Sequence, residues 1–170
     1  MTEQTTPTEY DRRLEELWAS IDDLDAETFR AKIDELVAEL PADSPVAVFE
    51  RACAFDSTGH PDRAVPLYRQ ALELGLAGER RRRAVIQLAS SLRNLKQVAE
   101  SIVLLQAEHE RTSDHLDDAV SAFLALALVD SGREREAASV ALAALSPHLS
   151  RYQRSLTHYA RALVDEQVPE

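Results

Sequence analysis

Two glycines, Gly59 and Gly132, lie 73 residues apart in this 170-residue sequence. Each follows a short Asp-Ser element, Asp56-Ser57-Thr58 before Gly59 and Asp130-Ser131 before Gly132. The separation equals two periods of about 36 residues, a length within the range of repeated helical hairpins. A middle copy of the repeat is therefore expected to turn near residue 95 or 96. The segment Arg93-Asn94-Leu95-Lys96 stands there, between two helical patterns. The spacing predicts three copies of one supersecondary unit.

Aligning the sequence on Gly59, Lys96 and Gly132 places residues of similar size at matching positions. The matching sets are Ala52, Ala89 and Ala125 seven residues before the turn, Phe55, Leu92 and Leu128 four before it, and Ala64, Ser101 and Ala137 five after it. Small residues allow two helices to cross closely, and large residues fill the space beside the crossing. Twelve residues after the turn the first and third copies carry alanine, whereas the middle copy carries Glu108, which breaks the pattern.

The segments between the turns have the periodicity and composition of helices. Apolar residues recur with a period near 3.6, as in Ala64, Leu67, Tyr68 and Ala71. Hydrophobic residues make up 45% of the chain but aromatic residues only 5%, so the apolar content is mostly Ala and Leu, which favour helix over sheet. The sequence therefore predicts an all-α fold with about nine helices.

The same patterns divide the chain into segments. Asp25 is expected to cap the second helix of an irregular N-terminal pair. The last helix is expected to turn an apolar face inward, with the polar face of a solenoid cap outside. That apolar face comprises Leu149, Tyr152, Leu156, Tyr159, Ala160 and Leu163. The predicted segments are a disordered tail at 1–8, the helical pair at 9–41, hairpins at 43–76, 80–110 and 114–147 (together 43–147), a capping helix at 148–165 and a second tail at 166–170.

In this register the sequence resembles the tetratricopeptide repeat (TPR). The first copy carries the pattern in Ala52, Phe55, Gly59, Ala64, Tyr68 and Ala71, the other two copies are more degenerate, and the usual Trp and Pro are absent. Phe49-Glu50-Arg51-Ala52 and Leu67-Tyr68-Arg69-Gln70-Ala71-Leu72 are similar to a small bacterial group of TPR proteins with no assigned biochemical function. The resemblance implies a TPR-like α-solenoid, a right-handed superhelix of antiparallel helical hairpins. In that family the first helices of the hairpins line a concave groove that binds extended peptides or helices.

Carried over by position, the resemblance implies a groove lined by residues from all three copies. The principal candidates are Phe49, Cys53, Asp56, Arg83, Ile86, Ser90, Arg93, Asn94 and Asp130, with Ala119, Ala122, Leu126 and Val129 beside Asp130. Phe49 and Ile86 are the expected apolar anchors. Family members that hold the C-terminal carboxylate of a chaperone use a Lys/Asn clamp. This sequence has only one Asn, Asn94, and no matching Lys, which disfavours that class of ligand.

The charge of the chain restricts its partners. The formal net charge is −11, and residues 1–40 carry twelve acidic against four basic residues. Such a chain repels phosphate backbones and anionic lipids, so neither nucleic acid nor membrane is an expected partner. The single cysteine fits a reducing compartment, and the first ten residues contain no apolar run typical of a signal peptide. We therefore expect a cytoplasmic location.

No residue pattern in the sequence indicates catalysis. Nucleophile elbows, phosphate-binding glycine loops and dinucleotide fingerprints are absent, and the five histidines lack metal-ligand spacing. No cofactor, metal or catalytic residue is therefore predicted. Cys53 is expected to be a packed thiol. The run Arg80-Arg81-Arg82-Arg83 has two open interpretations: a grip on an acidic or phosphorylated peptide, or a solvated helix start.

The sequence thus favours a non-catalytic module that binds a peptide or helix of a partner protein in its groove. A second hypothesis is a self-assembling structural protein, a homodimer formed through a terminal amphipathic helix. A third and more remote one is an enzyme or a helical domain that binds a small molecule. Such a domain needs a deep pocket with converging polar groups, and no residue set predicts one.

Overall fold

The computed structural model describes residues 8–111 and 114–165, and every regular element within them is helical. The nine α-helices are α1 (Glu9–Ala19), α2 (Ala26–Val37), α3 (Pro45–Ser57), α4 (Pro61–Glu73), α5 (Gly78–Asn94), α6 (Val98–His109), α7 (Asp117–Asp130), α8 (Glu134–Leu145) and α9 (Gln153–Ala162). Short 3₁₀ helices cover Ile21–Asp23 and Ser146–His148. The predicted all-α, TPR-like fold class is confirmed. The predicted tails lie outside the described residues except for Thr8, the N-cap of α1.

The chain divides into two compact units, Met1–Leu76 and Ala77–Glu170. In the N-terminal unit α2 packs on α1 and α3, and α3 pairs with α4. Phe29 and Ile33 of α2 are fully buried. The rings of Trp18 and Phe29 pack edge-to-face, with their centroids 5.1 Å apart. Asp25 caps α2 by accepting hydrogen bonds from the backbone N–H groups of Glu27 and Thr28, as the sequence predicted.

In the C-terminal unit α5 pairs with α6, α7 pairs with α8, and α9 packs on α8. The small residues of the repeat pattern lie where these helices cross. Ala89 and Ser101 are fully buried, and the Ser101 hydroxyl donates a 2.7 Å hydrogen bond to the carbonyl of Ala89. This bond joins the two positions that the alignment predicted to meet in the middle hairpin.

The three predicted turn residues share one backbone geometry. Gly59, Lys96 and Gly132 have φ values of 82°, 64° and 77°. In each copy the N–H of the following residue donates at 2.9 Å to a carbonyl five residues earlier, and the N–H of the turn residue donates to the carbonyl three residues before it. This pair of bonds is the Schellman motif, which satisfies the last carbonyls of a helix. The turn register taken from the sequence is therefore confirmed.

Lys96 is the one turn residue of the three that is not glycine, and left-handed backbone is unfavourable for a residue with a Cβ. We expect Lys96→Gly to raise the free energy of unfolding by about 1 kcal/mol. Urea denaturation followed by far-UV circular dichroism measures this change. The matched control, Gly132→Lys, should lower the free energy of unfolding by a similar amount. If Lys96→Gly instead destabilised the protein, the expectation would be wrong.

The inner face of the last helix is narrower than predicted. Tyr152 and Tyr159 were expected inside, but they are 77% and 65% exposed. Ala160 is buried, with Leu156 and Leu163 half-buried beside it. Because α9 packs chiefly on one helix, α8, only one stripe of its residues is covered. The two tyrosines lie outside that stripe.

Candidate partner-binding face

The groove residues predicted in the N-terminal unit are mostly buried. Phe49 is 0% exposed, with its ring 6.2 Å from that of Tyr68, and Cys53 is also buried. The Tyr68 hydroxyl donates to the carboxylate of Asp56 at 3.2 Å, and burial, with added contributions from Cys53 and Asp56, raises the pKa of Tyr68. Since α3 packs between α2 and α4, most of its surface is covered. The expected role of Phe49 as an exposed anchor does not fit this burial, whereas the packed position of Cys53 does agree with the sequence.

The predicted groove residues of the C-terminal unit lie on α5 and α7, which contact each other directly. Arg93 Nε lies 2.8 Å from Asp130 Oδ2, so the structure joins two candidate residues in an ion pair between the helices. Arg83 and Asn94 are exposed and Ser90 is half-buried. Ile86, the second expected anchor, is buried in the core. The polar candidates on α5 are therefore accessible, whereas its apolar candidate, Ile86, is not.

The accessible apolar surface here belongs to α7. Leu126 is 44% exposed and Val129 is 49% exposed, and Ala122 is exposed one turn before Leu126. Their spacing of four and three residues places them on one side of the helix, and Asp130 follows directly. We call these side chains, together with those of Arg83, Ser90, Arg93 and Asn94, the α5–α7 face. Apolar side chains beside charged and amide groups are typical of protein interaction surfaces.

The arginine run at the start of α5 enters a buried charge cluster that the sequence did not reveal. Arg81 Nη1 donates to both carboxylate oxygens of Glu108, at 2.6 and 2.5 Å. Arg82 Nε lies 3.4 Å from Glu108, Nη1 lies 2.5 Å from Asp114, and Nη2 donates to Asp117 at 2.7 Å. The side chains of Arg82 and Glu108 are only 5% and 3% exposed. This cluster links α5, α6 and the start of α7.

The cluster answers the question left open by the arginine run for Arg82 only. Arg82 is neither a solvated helix start nor a surface grip for an acidic peptide, because it is buried among carboxylates. Burial alone lowers the pKa of Arg82, but Asp114 and Asp117 outweigh this effect and raise it. In return, the Arg82 guanidinium lowers the pKa of Asp114. The Asp114 contribution to stability is thus present above its unfolded pKa and is lost as the pH falls through the lowered folded value. The sequence signal was Glu108 itself, the residue that broke the repeat pattern.

Other surface features include an open depression and histidine contacts. An open depression of about 350 Å³ lies on α1 and α2, and the Arg13–Glu39 ion pair, at 2.7 Å, forms part of its lining. Within residues 8–111 and 114–165, no group of three or more His, Cys, Asp or Glu side chains is placed to hold a metal ion. His148 instead contacts the carboxylate of Asp118, with its Nε2 2.8 Å from Oδ2. No helix of the described chain is both long enough and apolar enough to cross a membrane.

A family model for the tetratrico peptide repeat matches residues 45–163, more than two thirds of the chain. The chain belongs to the tetratricopeptide repeat family. The match begins at the first residue of α3 and continues through α9, so it includes the helix predicted from the sequence as a separate cap. No curated protein and no solved structure matches this chain.

Membership assigns a general role. Tetratricopeptide repeats are generally modules for protein–protein interaction and are typically non-catalytic. In this TPR chain the nine principal groove candidates divide into two groups. Phe49, Cys53 and Ile86 belong to the core, whereas the other six reach the surface to differing degrees: Asp56, Arg83, Ser90, Arg93, Asn94 and Asp130.

Proposed function

We propose that this TPR chain binds a peptide or helix of a partner protein on the α5–α7 face. The observation that carries the proposal is the exposed apolar stripe of Ala122, Leu126 and Val129 beside the Arg93–Asp130 ion pair. Leu126 and Val129 each leave nearly half of their surface in water, and covering that surface would stabilise a complex. Arg93, Asp130 and Asn94 would set the polarity and direction of the bound segment.

The rigidity of α5 and α7 supports this role. Both helices belong to one hydrophobic core that contains Ala89, Val120 and Leu128, and the Arg82 cluster ties their N-terminal ends together. A face held on packed helices loses little conformational freedom when it binds, which favours affinity. Phe49 and Cys53 do not enter this proposal, because burial leaves them no surface to contribute.

The proposal predicts that the apolar stripe carries most of the binding energy. Peptides selected from a phage-displayed random library on the wild-type chain should contain apolar anchor residues. A variant with Leu126→Ser and Val129→Ser should bind them about 30-fold more weakly, since one interface hot spot contributes about 2 kcal/mol. Fluorescence anisotropy with the labelled peptides measures the affinities.

The matched control is Val103→Ser on α6, which removes an apolar side chain that is 63% exposed but lies outside the α5–α7 face. Its peptide affinities should equal those of the wild type, and thermal unfolding should show that all variants remain folded. Failure to select any peptide would reject the proposal. So would equal binding to the wild type and to the double variant.

A further inference from the structure

The outward side of α9 carries positive charge on an otherwise acidic protein. Residues 137–164 contain no Asp or Glu, whereas Arg151, Arg154 and Arg161 lie within this stretch and are exposed. Arg154 and Arg161 are seven residues apart, and His158, four residues after Arg154, projects from the same side. We call this surface, with the exposed rings of Tyr152 and Tyr159, the α9 outer face.

The arginines of the α9 outer face differ from neighbouring bases that already have partners. Arg135 donates from Nε to the carbonyl of Leu163 at 3.0 Å, and His148 contacts Asp118. Arg151, Arg154 and Arg161, by contrast, form no ion pair with any residue that the structure describes. Exposed tyrosine beside arginine is the composition enriched at protein interfaces. The α9 outer face therefore suits an acidic protein segment.

An acidic segment of this kind runs from the second half of α1 into the 3₁₀ helix that follows it. Glu15, Asp22 and Asp23 are exposed and have no ion pair among the described residues. Some other acids of the N-terminal unit are neutralised locally, as Glu39 is by Arg13 and Asp34 by Arg51. The last turn of α1 contains no basic residue, so the negative end of the helix dipole adds to the charge of Asp22 and Asp23. We call these three carboxylates the α1 acidic end.

We propose that the α9 outer face binds the α1 acidic end of a second copy of this chain. Three guanidinium groups would meet three carboxylates, and the rings of Tyr152 and Tyr159 would lose exposed surface in the contact. Arginine can bind a carboxylate through two parallel hydrogen bonds, which gives the contact a defined geometry. This interaction is independent of the α5–α7 face and uses neither Leu126 nor Val129.

The proposed contact joins two different surfaces, so a bound pair still has one α9 outer face free on one copy and one α1 acidic end free on the other. Such a heterologous contact forms rings or open chains, not a dimer of like helices. It therefore differs from a homodimer in which a terminal helix pairs with its own copy. It also depends on salt, because exposed charges are screened over roughly 14 Å at ~50 mM salt but over only about 4 Å at ~500 mM.

Sedimentation equilibrium of the full chain tests the contact. At low salt the average mass should rise above the monomer mass of 18.9 kDa as the protein concentration increases, and at high salt it should return to that value. Arg154→Glu with Arg161→Glu should lower the association constant at least about tenfold, and so should Glu15→Lys with Asp22→Lys. Mixing these two charge-reversed variants should restore association, because each then offers a surface complementary to the other.

Two controls separate the contact from general charge effects and from the proposed function. Lys96→Glu with Arg111→Glu lowers the net charge by the same amount as Arg154→Glu with Arg161→Glu, but at exposed sites outside α9. This control variant should associate like the wild type. Leu126→Ser with Val129→Ser should also associate normally even though it weakens peptide binding. A constant monomer mass at low salt would overturn the proposal. So would a fixed dimer that both reversals leave intact, or a mixture that fails to regain association.

Discussion

Replacing Phe49 with alanine should lower the free energy of unfolding of the N-terminal unit by about 3–5 kcal/mol. Phe49 is completely buried between neighbouring helices, and its ring contacts that of Tyr68. Truncation would remove apolar contacts and leave a cavity that the packed helices can close only in part. The chain has a single tryptophan, Trp18, which packs against Phe29 in the same unit. Urea denaturation followed by Trp18 fluorescence therefore reports directly on this unit.

The Phe49 experiment also decides between a role in the core and one in a groove. Truncating a side chain that lines an open groove would change the free energy of unfolding little, because that side chain is already in contact with water. Leu74→Ala is the control: Leu74 lies in the same unit but is exposed, so its loss should change stability by less than about 0.5 kcal/mol. If Phe49→Ala also cost less than about 1 kcal/mol, Phe49 would not have the buried role described above.

The turns were predictable because a turn is a local structure. The backbone at Gly59, Lys96 and Gly132 is determined by hydrogen bonds within six consecutive residues, so the sequence near each turn carries the necessary signal. Even Lys96, which lacks the glycine signature, was located by its distance from the other two. The cap at Asp25 was predictable for the same reason.

The role of Phe49 was harder to predict because helical periodicity shows only which residues share a face. It does not show how many neighbouring helices cover that face. Phe49 has the position of a groove residue in the repeat, but α3 has a neighbour on either side, α2 and α4, and Phe49 is buried. Tyr159 shows the opposite error, since α9 packs mainly on α8 and one stripe of an amphipathic helix is covered. Both outcomes depend on tertiary contacts that the pattern alone does not encode.

The part of the candidate face on α5 and α7 could be placed more reliably. Arg93 and Asp130 were both assigned to one surface from repeat position alone, and the structure joins them in an ion pair. The Arg81–Glu108 contact could not be found in this way, because the two residues are 27 positions apart and have no fixed relation in the repeat. The sequence showed that Glu108 was exceptional but could not identify its partner.

Glu108→Ala should therefore lower the free energy of unfolding by about 3 kcal/mol, at the low end of the range for breaking a buried ion pair. The repeat pattern alone suggests a neutral effect, since alanine stands at the equivalent positions 71 and 144. In the structure the substitution removes both hydrogen bonds to Arg81 and leaves the buried Arg82 with only Asp114 and Asp117. Urea denaturation followed by far-UV circular dichroism measures the change.

Two further variants separate charge burial from the simple loss of a carboxylate. Glu136→Ala removes the acid from an exposed pair with Arg133 and should alter stability by at most about 0.5 kcal/mol, because water already solvates both groups. The double variant Arg82→Leu with Glu108→Ala should be more stable than Glu108→Ala alone. In the double variant the buried guanidinium that lost the Glu108 carboxylate is also removed. If the double variant were instead less stable than Glu108→Ala alone, Arg82 and Glu108 would not be coupled through their charges, and the loss of side-chain volume would explain the destabilisation.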